Sequence, residues 1–309
     1  MSTPILIDCD PGHDDAMAIL LALASPEVEL VGVTTVAGNQ TLAKTTANAL
    51  RVLELAGRGD IPVAAGADRP LERDAHVAKD VHGESGLDGP ALAEPRGAVV
   101  EDDAVNFLAA RINESDRPVT LVPIGPLTNV AGLIERCPEA AGQIGRIVLM
   151  GGAIAEGNVT PAAEFNIWAD PEAAARVFSS GLDVTMIGLD VTHRALVLPE
   201  HADRLRASGR TGAFVADLFT FYHRFHAETY DFPGSPVHDA VAVAFVARPD
   251  LVETVHRNVV VETESELCRG RTIVDLWRRT DREPNCAVGV DIDSEAFLEL
   301  LVERLSSFP

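Results

Sequence analysis

Lysine is almost absent from this sequence. Only Lys44 and Lys79 occur among 309 residues, and 25 basic residues in all stand against 47 acidic ones, which gives a formal net charge of −22. A strongly acidic surface repels phosphate backbones and anionic lipid head groups, which basic patches normally bind. We therefore expect no nucleic-acid polymer and no membrane among the partners of this protein.

Cysteines are few, and long apolar runs are missing. The four cysteines, Cys9, Cys137, Cys268 and Cys286, form no C-x-x-C pair, so reduced thiols are favoured over a disulfide framework or a structural zinc site. No apolar run approaches the roughly 20 residues that span a bilayer, and the first residues lack the basic and apolar regions of a signal peptide. These absences predict a cytoplasmic protein.

The composition that remains is globular, with 47% hydrophobic and 23% charged residues. Up to about residue 190, β-rich apolar runs alternate with stretches of helical period, which is typical of βαβ units. The predicted strands are residues 4–7, 30–36, 62–65, 119–124, 146–150 and 183–187. The predicted helices are residues 15–24, 41–56, 102–112, 127–135 and 171–179. This order predicts an α/β fold with a doubly wound, mostly parallel sheet and flanking helices.

The last third of the chain changes pattern without a Ser-, Gly- or Pro-rich linker. We expect helices at residues 199–208 and 212–229, one that begins near Asp239, and a final helix at residues 294–305. Short strands are expected at residues 259–261, 272–276 and 287–290. We therefore predict one domain over residues 1–309, with a helical and β extension in its C-terminal third. Two long segments without a clear period, 66–97 and 151–166, are expected to be functional loops.

Four aspartates lie within eight residues directly after the first predicted strand: Asp8, Asp10, Asp14 and Asp15. Open α/β sheets bind ligands at this edge, and a cation would relieve the repulsion between the carboxylates. Because the available donors are oxygens, Ca²⁺ or Mg²⁺ is favoured over Zn²⁺. The structural alternative is a helix N-terminus, which accounts for one or two of the aspartates but not for four.

The stretch from Asp8 to Asp15, DCDPGHDD, resembles the signature of the inosine-uridine preferring nucleoside hydrolases. These enzymes cleave the N-glycosidic bond of ribonucleosides around a bound Ca²⁺. Seven further blocks match in the expected order: VAGN at 36–39, HGESGLDG at 82–89, PIGPLTN at 123–129, LMGG at 149–152, GN at 157–158, EFN at 164–166 and VHDA at 237–240. The resemblance thus runs nearly from end to end.

The resemblance implies a role for each matching residue. The implied Ca²⁺ ligands are Asp10, Asp15, Asp239 and the backbone carbonyl of Ile124. The implied nucleoside contacts are Asp14, Asn39 and Asn166 for the ribose hydroxyls, Asn158 and Glu164 for the 5′-hydroxyl, Met150 and Phe165 packing nearby, and His82, His226 and Tyr230 for the base. Asp10 is then the general base that deprotonates water, and His238 is the acid that assists the leaving base.

Taken singly, several of these residues have ordinary structural explanations. Asn39 and His82 fit plain turns, His238 fits a buried core histidine, and His226 and Tyr230 fit a surface or core helix face. Asn39, Ile124 and Met150, however, each lie at the C-terminal end of a predicted strand, on the sheet edge that also bears Asp10. That convergence indicates a site.

Two other functions stay open at this point. One is a Ca²⁺-dependent nucleoside- or ribose-binding protein without chemistry, and the other is a Mg²⁺-dependent phosphohydrolase of the haloacid-dehalogenase kind. The latter expects Thr or Val where Gly12 stands and a downstream lysine. Among nucleosides, the blocks favour uridine and cytidine. The resemblance also implies a homo-oligomer, either a tetramer or a dimer.

Overall fold

An eight-stranded sheet forms the centre of the part of the chain that the computed structural model describes, residues 2–91 and 93–308. Its strand order is β3-β2-β1-β4-β5-β6-β12-β9, and two small two-stranded sheets pair β10 with β11 and β7 with β8. The strands are β1 Thr3–Cys9, β2 Val28–Thr35, β3 Val63–Ala65, β4 Val119–Pro123, β5 Ile144–Met150, β6 Val184–Ile187, β7 Leu196–Val197, β8 Ser235–Pro236, β9 Val252–Arg257, β10 Val259–Val261, β11 Thr272–Val274 and β12 Cys286–Ile292.

Helices cover both faces of this sheet. They are α1 His13–Ala24, α2 Leu42–Leu55, α3 Lys79–His82, α4 Ala104–Glu114, α5 Thr128–Arg136, α6 Pro138–Ala141, α7 Phe165–Ala169, α8 Pro171–Phe178, α9 Leu189–Thr192, α10 Pro199–Arg206, α11 Arg210–Tyr230, α12 His238–Ala247 and α13 Ser294–Leu305. A 3₁₀ turn spans Pro249–Leu251. Over the described residues, no helix is both long and apolar enough to cross a membrane.

The period-2 alternation of β1 separates two hydrophobic clusters. Ile5 and Ile7 pack into the cluster that includes side chains of α1, α12 and α13, whereas Leu6 packs into the cluster formed with α4, α5 and α8. Helix α12 is buried along its whole length because its residues after Asp239 are small or apolar on every side. It packs against α1, and this contact brings its N-terminus to the end of β1.

The chain reverses its direction of travel across the sheet at β1. Strand β1 pairs in parallel with β2 on one side and with β4 on the other, because the chain first moves outward to β3 and then returns. Ligands of open α/β sheets bind at such a switch point, outside the carboxyl ends of the strands. The aspartates after β1 therefore lie at the expected position for a site.

All six strands and five helices predicted before residue 190 are present, with ends that differ by at most two residues. In the C-terminal third, α13 has the predicted bounds, but β12 is not part of a separate layer. It joins the main sheet in parallel with β6, and β9, which was not predicted, pairs with it in antiparallel fashion at the edge. The predicted extension thus partly continues the central sheet.

Candidate active site

The carboxylates after β1 are held by backbone amides. Asp10 Oδ2 accepts from the N–H of Asn39 at 2.6 Å, and Asp15 Oδ1 accepts from the N–H of Asp10 at 3.1 Å. Asp15 Oδ2 accepts from the N–H of Gly12 at 2.9 Å and from Asn39 Nδ2 at 3.0 Å. Asp15 therefore caps the N-terminus of α1, which is the structural role considered above for these aspartates. It also connects the end of β1 with the loop after β2 through Asn39.

The same cluster has the composition of a site for a hard cation. Asp14, Asp15 and Asp239 are all buried, and one carboxylate oxygen of each lies within 4.8 Å of the others. Asp10 is outside that trio, but its Oδ1 is buried without a hydrogen-bond partner among the described residues. No salt bridge in the described part of the chain involves these four carboxylates, so their charge is uncompensated, and an oxygen-binding cation fits the donor set.

Burial and the charges of neighbouring carboxylates raise the pKa values of this cluster. Burial, and then the charge of Asp15, raises the pKa of Asp14 to about 8. Burial, and then the charge of Asp14, raises the pKa of Asp239 well above its ordinary value. A bound cation would reverse both effects, because it favours the ionised carboxylates.

Two glycines leave room for the carboxylate of Asp10. A Cβ atom at Gly38 would lie 2.1 Å from Asp10 Oδ2, and one at Gly125 would lie 2.5 Å from Oδ1. Any larger residue at these two positions would displace the carboxylate. The VAGN and PIGPLTN blocks thus require glycine at these positions, because a side chain there would collide with the carboxylate of Asp10.

Asn166 joins the ends of β4 and β5. Its Nδ2 donates to the carbonyl of Ile124 at 2.9 Å and to the carbonyl of Met150 at 3.1 Å. All three residues line the same cavity. The carbonyl of Ile124 therefore lies at the site edge, as the metal-ligand prediction requires.

Glu164 organises the loop that closes one side. Its Oε1 accepts from the N–H of Asn166 at 2.9 Å, and its Oε2 accepts from those of Gly152 at 2.9 Å and Ile167 at 3.2 Å. Burial nevertheless raises the pKa of Glu164 to about 7. Asn158 Oδ1 accepts from the N–H of Phe165 at 2.9 Å, so hydrogen bonds of Asn158 and Glu164 connect the two ends of segment 151–166 beside the cavity.

Histidines form much of the cavity wall, and five of them line it: His76, His82, His193, His226 and His238. His238 Nδ1 lies 2.7 Å from Thr192 Oγ1, and His226 Nδ1 lies 3.0 Å from the carbonyl of Tyr222. Because a carbonyl only accepts, neutral His226 carries its proton on Nδ1. Burial lowers the pKa of His226 to about 4, and burial followed by the charge of His193 lowers that of His238 well below its ordinary value.

Sequence reasoning missed part of this wall. The ring of His193 lies 5.5 Å from that of His238, and the ring of Tyr222 lies 4.4 Å from that of His226 in an edge-on contact. Tyr222 precedes His226 by one helical turn, so the i, i+4 spacing could have found it. His193 follows a four-residue helix and carries no such signal. Asp8, which has no predicted role, accepts from Thr34 and Asn129 and does not line the cavity.

A cavity of about 510 Å³ collects the predicted residues. Those that line it are Asp14, Asn39, His82, Ile124, Met150, Asn158, Glu164, Phe165, Asn166, His226, Tyr230, His238 and Asp239. Asp10 and Asp15 are fully buried beneath it. The floor is therefore acidic, and rings of histidine, tyrosine and phenylalanine form the walls.

Comparisons of the sequence with known proteins point to one family. The sequence model described as inosine-uridine preferring nucleoside hydrolase matches residues 5–299. The pyrimidine-specific ribonucleoside hydrolase RihA of Citrobacter koseri is 52% identical over 310 residues, which cover 100% of this chain and 99% of that protein. RihA of Escherichia coli O7:K1 is also 52% identical, with 100% of both chains covered.

Solved structures agree in fold. A plant nucleoside hydrolase, PpNRh1, matches with a TM-score of 0.92 and 36% identity over 99% of this chain and 100% of that chain. A purine-preferring ribonucleoside hydrolase from Gardnerella vaginalis matches with a TM-score of 0.94 and 35% identity over 99% of both chains. Both structures and both sequence relatives are named as nucleoside or ribonucleoside hydrolases, which is the family that the motif blocks predict.

Proposed function

Because this chain belongs to the inosine-uridine preferring nucleoside hydrolase family and is thus an N-ribohydrolase, we propose that it hydrolyses pyrimidine ribonucleosides to ribose and free base. The observation that carries the proposal is the cavity itself. Buried carboxylates form its floor, where a sugar with developing positive charge is stabilised, and aromatic and imidazole rings form its walls, where a planar base can stack.

The preference for uridine and cytidine rests on similarity. The relatives at 52% identity over the full chain are named pyrimidine-specific, whereas the structural neighbour named purine-preferring is 35% identical. The motif blocks favour the same substrates.

The metal that we propose is Ca²⁺. Asp10, Asp15, Asp239 and the carbonyl of Ile124 would hold it, since they offer only oxygens, and one of these, Asp10 Oδ1, has no partner among the described side chains and amides. When bound, the ion supplies positive charge that lowers the pKa of a water molecule and binds hydroxyl oxygens.

The chain's own residues position the substrate and move its protons. Asp10 Oδ1 accepts a proton from the attacking water as general base. Residues around the sugar then orient its hydroxyls and stabilise the oxocarbenium-like transition state through their charge. They are Asp14, Asn39 and Asn166 at the ribose hydroxyls, Asn158 and Glu164 at the 5′-hydroxyl, and Met150 and Phe165 in packing contact.

His238 is the proposed proton donor to the departing base. Since its Nδ1 contacts Thr192, the proton leaves from Nε2 on the cavity side. Its lowered pKa makes the protonated ring a strong acid, although only a small fraction is protonated at neutral pH. His82, His226 and Tyr230 contact the base in this proposal.

We propose further that the enzyme acts in the cytoplasm as a homo-oligomer, either a tetramer or a dimer. The family resemblance supports this assembly. We also propose that residues 1–309 form one domain, which agrees with the length of the family match.

The test is ribose release from uridine, cytidine, inosine and adenosine, before and after EDTA and after readdition of Ca²⁺ or Mg²⁺. We expect faster release from the two pyrimidine nucleosides, loss with EDTA and recovery with Ca²⁺. Asp239→Asn should weaken the recovery, whereas Asp116→Asn, at an exposed position, should not. Release from none of the four nucleosides would overturn the proposed reaction, and recovery with Mg²⁺ alone would overturn the proposed metal.

A further inference from the structure

A second histidine lies directly behind the cavity wall. His13 Nε2 is 2.8 Å from the backbone oxygen of Asp88, and His13 Nδ1 is 3.2 Å from Nδ1 of His82. The ring of His13 is fully buried, with the rings of Phe221 and Tyr222 each stacked 5.2 Å away, centroid to centroid. The ring of His13 does not itself line the cavity, and it contacts the base site through His82 and Tyr222, of which only His82 makes a hydrogen-bonding contact with it.

The contact with Asp88 decides where His13 carries its proton. A carbonyl oxygen only accepts, so His13 Nε2 is the donor, and Nδ1 of the neutral ring is a bare acceptor. A second proton on His13 would bury a cation between two aromatic rings, with no carboxylate accepting from either ring nitrogen among the described contacts. The proton between the two Nδ1 atoms therefore belongs to His82.

One competing donor is present at the same atom. The backbone N–H of His13 lies 3.3 Å from His82 Nδ1. If that amide were the donor, His82 Nδ1 would be bare, and two nitrogen lone pairs would face each other at 3.2 Å. In the Nδ1–H tautomer this amide gives up its bond and faces an N–H group, whereas the shorter contact with the ring of His13 becomes a hydrogen bond. Without the ring, the amide is the remaining partner of His82 Nδ1, and the tautomer of His82 reverses.

We propose that His13 is a positioning residue that holds His82 in the Nδ1–H tautomer, so that Nε2 of His82 accepts a hydrogen bond from an N–H group of the nucleobase. His82 lines the cavity, and its Nε2 makes no hydrogen bond to a described residue. The inference rests on the proposed function, because it assumes that a nucleobase occupies this cavity. The hydrogen bond to Nε2 of His82 would favour bases that carry an N–H group on the edge facing His82, as uracil does at N3.

The tautomer can be measured without substrate. Long-range ¹H–¹⁵N NMR at neutral pH on the intact protein with ¹⁵N-labelled histidine distinguishes pyrrole-type from pyridine-type ring nitrogens, and His82→Gln identifies the signals of His82. We expect Nδ1 to be pyrrole-type and Nε2 pyridine-type. We expect His13→Leu to reverse the pattern and His13→Asn to keep it, because the amide oxygen of Asn lies near the former Nδ1. An Nε2–H tautomer in the unaltered protein would overturn the inference.

Turnover supplies the second readout. Replacing uridine by 3-methyluridine removes the N–H, and we expect kcat/KM to fall about tenfold or more, since a buried acceptor is left unpaired. In His13→Leu the reversed tautomer no longer accepts from N3–H, so the methyl group should lower kcat/KM only through its steric cost, by about threefold or less. That steric cost is common to both proteins. An equal loss in both proteins would overturn the base contact. A protein with the expected tautomer but no activity on any nucleoside would instead contradict the proposed function.

Discussion

The hydroxyl oxygen of Thr192 lies 2.7 Å from Nδ1 of His238, and both side chains are buried. Thr192 ends the short helix α9 after β6, and His238 begins α12, so residues 46 positions apart meet in this contact. It holds the imidazole with Nε2 towards the cavity, and it makes His238 dependent on a residue that does not itself line the cavity.

Thr192→Val should therefore lower kcat for uridine by about ten- to a hundredfold and change KM little, because the nearly isosteric side chain keeps the packing but leaves Nδ1 unpaired. Steady-state kinetics across pH would show the basic limb displaced as well, because activity is lost when His238 gives up its proton. Thr192→Ser, which restores the hydroxyl, should recover most of the rate. An unchanged kcat and pH profile in the valine variant would remove Thr192 from the mechanism.

Gly125→Ala should displace the carboxylate of Asp10, since the added Cβ would lie 2.5 Å from its Oδ1. We expect at least a hundredfold loss of kcat/KM, in line with removal of a general base, and weaker Ca²⁺ binding by calorimetry. The matched control is Gly59→Ala, where the added atom would meet only Glu54 Cγ at 3.7 Å. Equal activity of the two variants would show that the position of Asp10 is not critical.

The contribution of Glu164 to the stability of the metal-free protein should fall as the pH rises, whereas the buried histidines, whose pKa values are lowered, contribute in the opposite sense below about pH 6.5. Burial raises the pKa of Glu164 from 4.5 to about 7, so the folded state binds this proton more tightly than the unfolded chain, and its stabilising effect is lost between about pH 4.5 and 7. The shift corresponds to at most about 3 kcal/mol. Glu164→Gln should remove that part of the decline in urea unfolding at pH 5 to 8 in EDTA.

Part of the decline should persist in Glu164→Gln, because burial also raises the pKa of Asp8 to about 7. The exposed substitution Glu266→Gln is the control and should retain the full decline. If Glu164→Gln and Glu266→Gln follow the same curve, Glu164 does not contribute to it.

Much of the site could be predicted because it follows a rule of topology. Asp10, Asn39 and Ile124 all come after apolar runs that form parallel strands, and such strands end at one edge. The edge strand β9 was missed because its partly exposed residues have no clear period. Side-chain contacts between distant segments, such as Thr192 with His238 or His13 with His82, leave no local pattern, since only the packed fold brings them together.

Asp10→Asn separates the chemistry of Asp10 from its place in the fold. The amide keeps the shape and an oxygen that can accept from the N–H of Asn39, but it cannot take a proton from water. We expect ribose release from uridine to fall about a thousandfold or more.

The same substitution should stabilise the metal-free protein. Burial, and then the charge of Asp15, raises the pKa of Asp10, which means that its ionised form is unfavourable in the folded state. Loss of that charge should raise the free energy of unfolding by about 1 kcal/mol or more in EDTA at pH 8, and added Ca²⁺ should stabilise the variant less than the unaltered protein. Asp116→Asn should change neither turnover nor unfolding. Near-normal turnover in Asp10→Asn would show that another group activates the water, because the variant retains every other carboxylate of the floor.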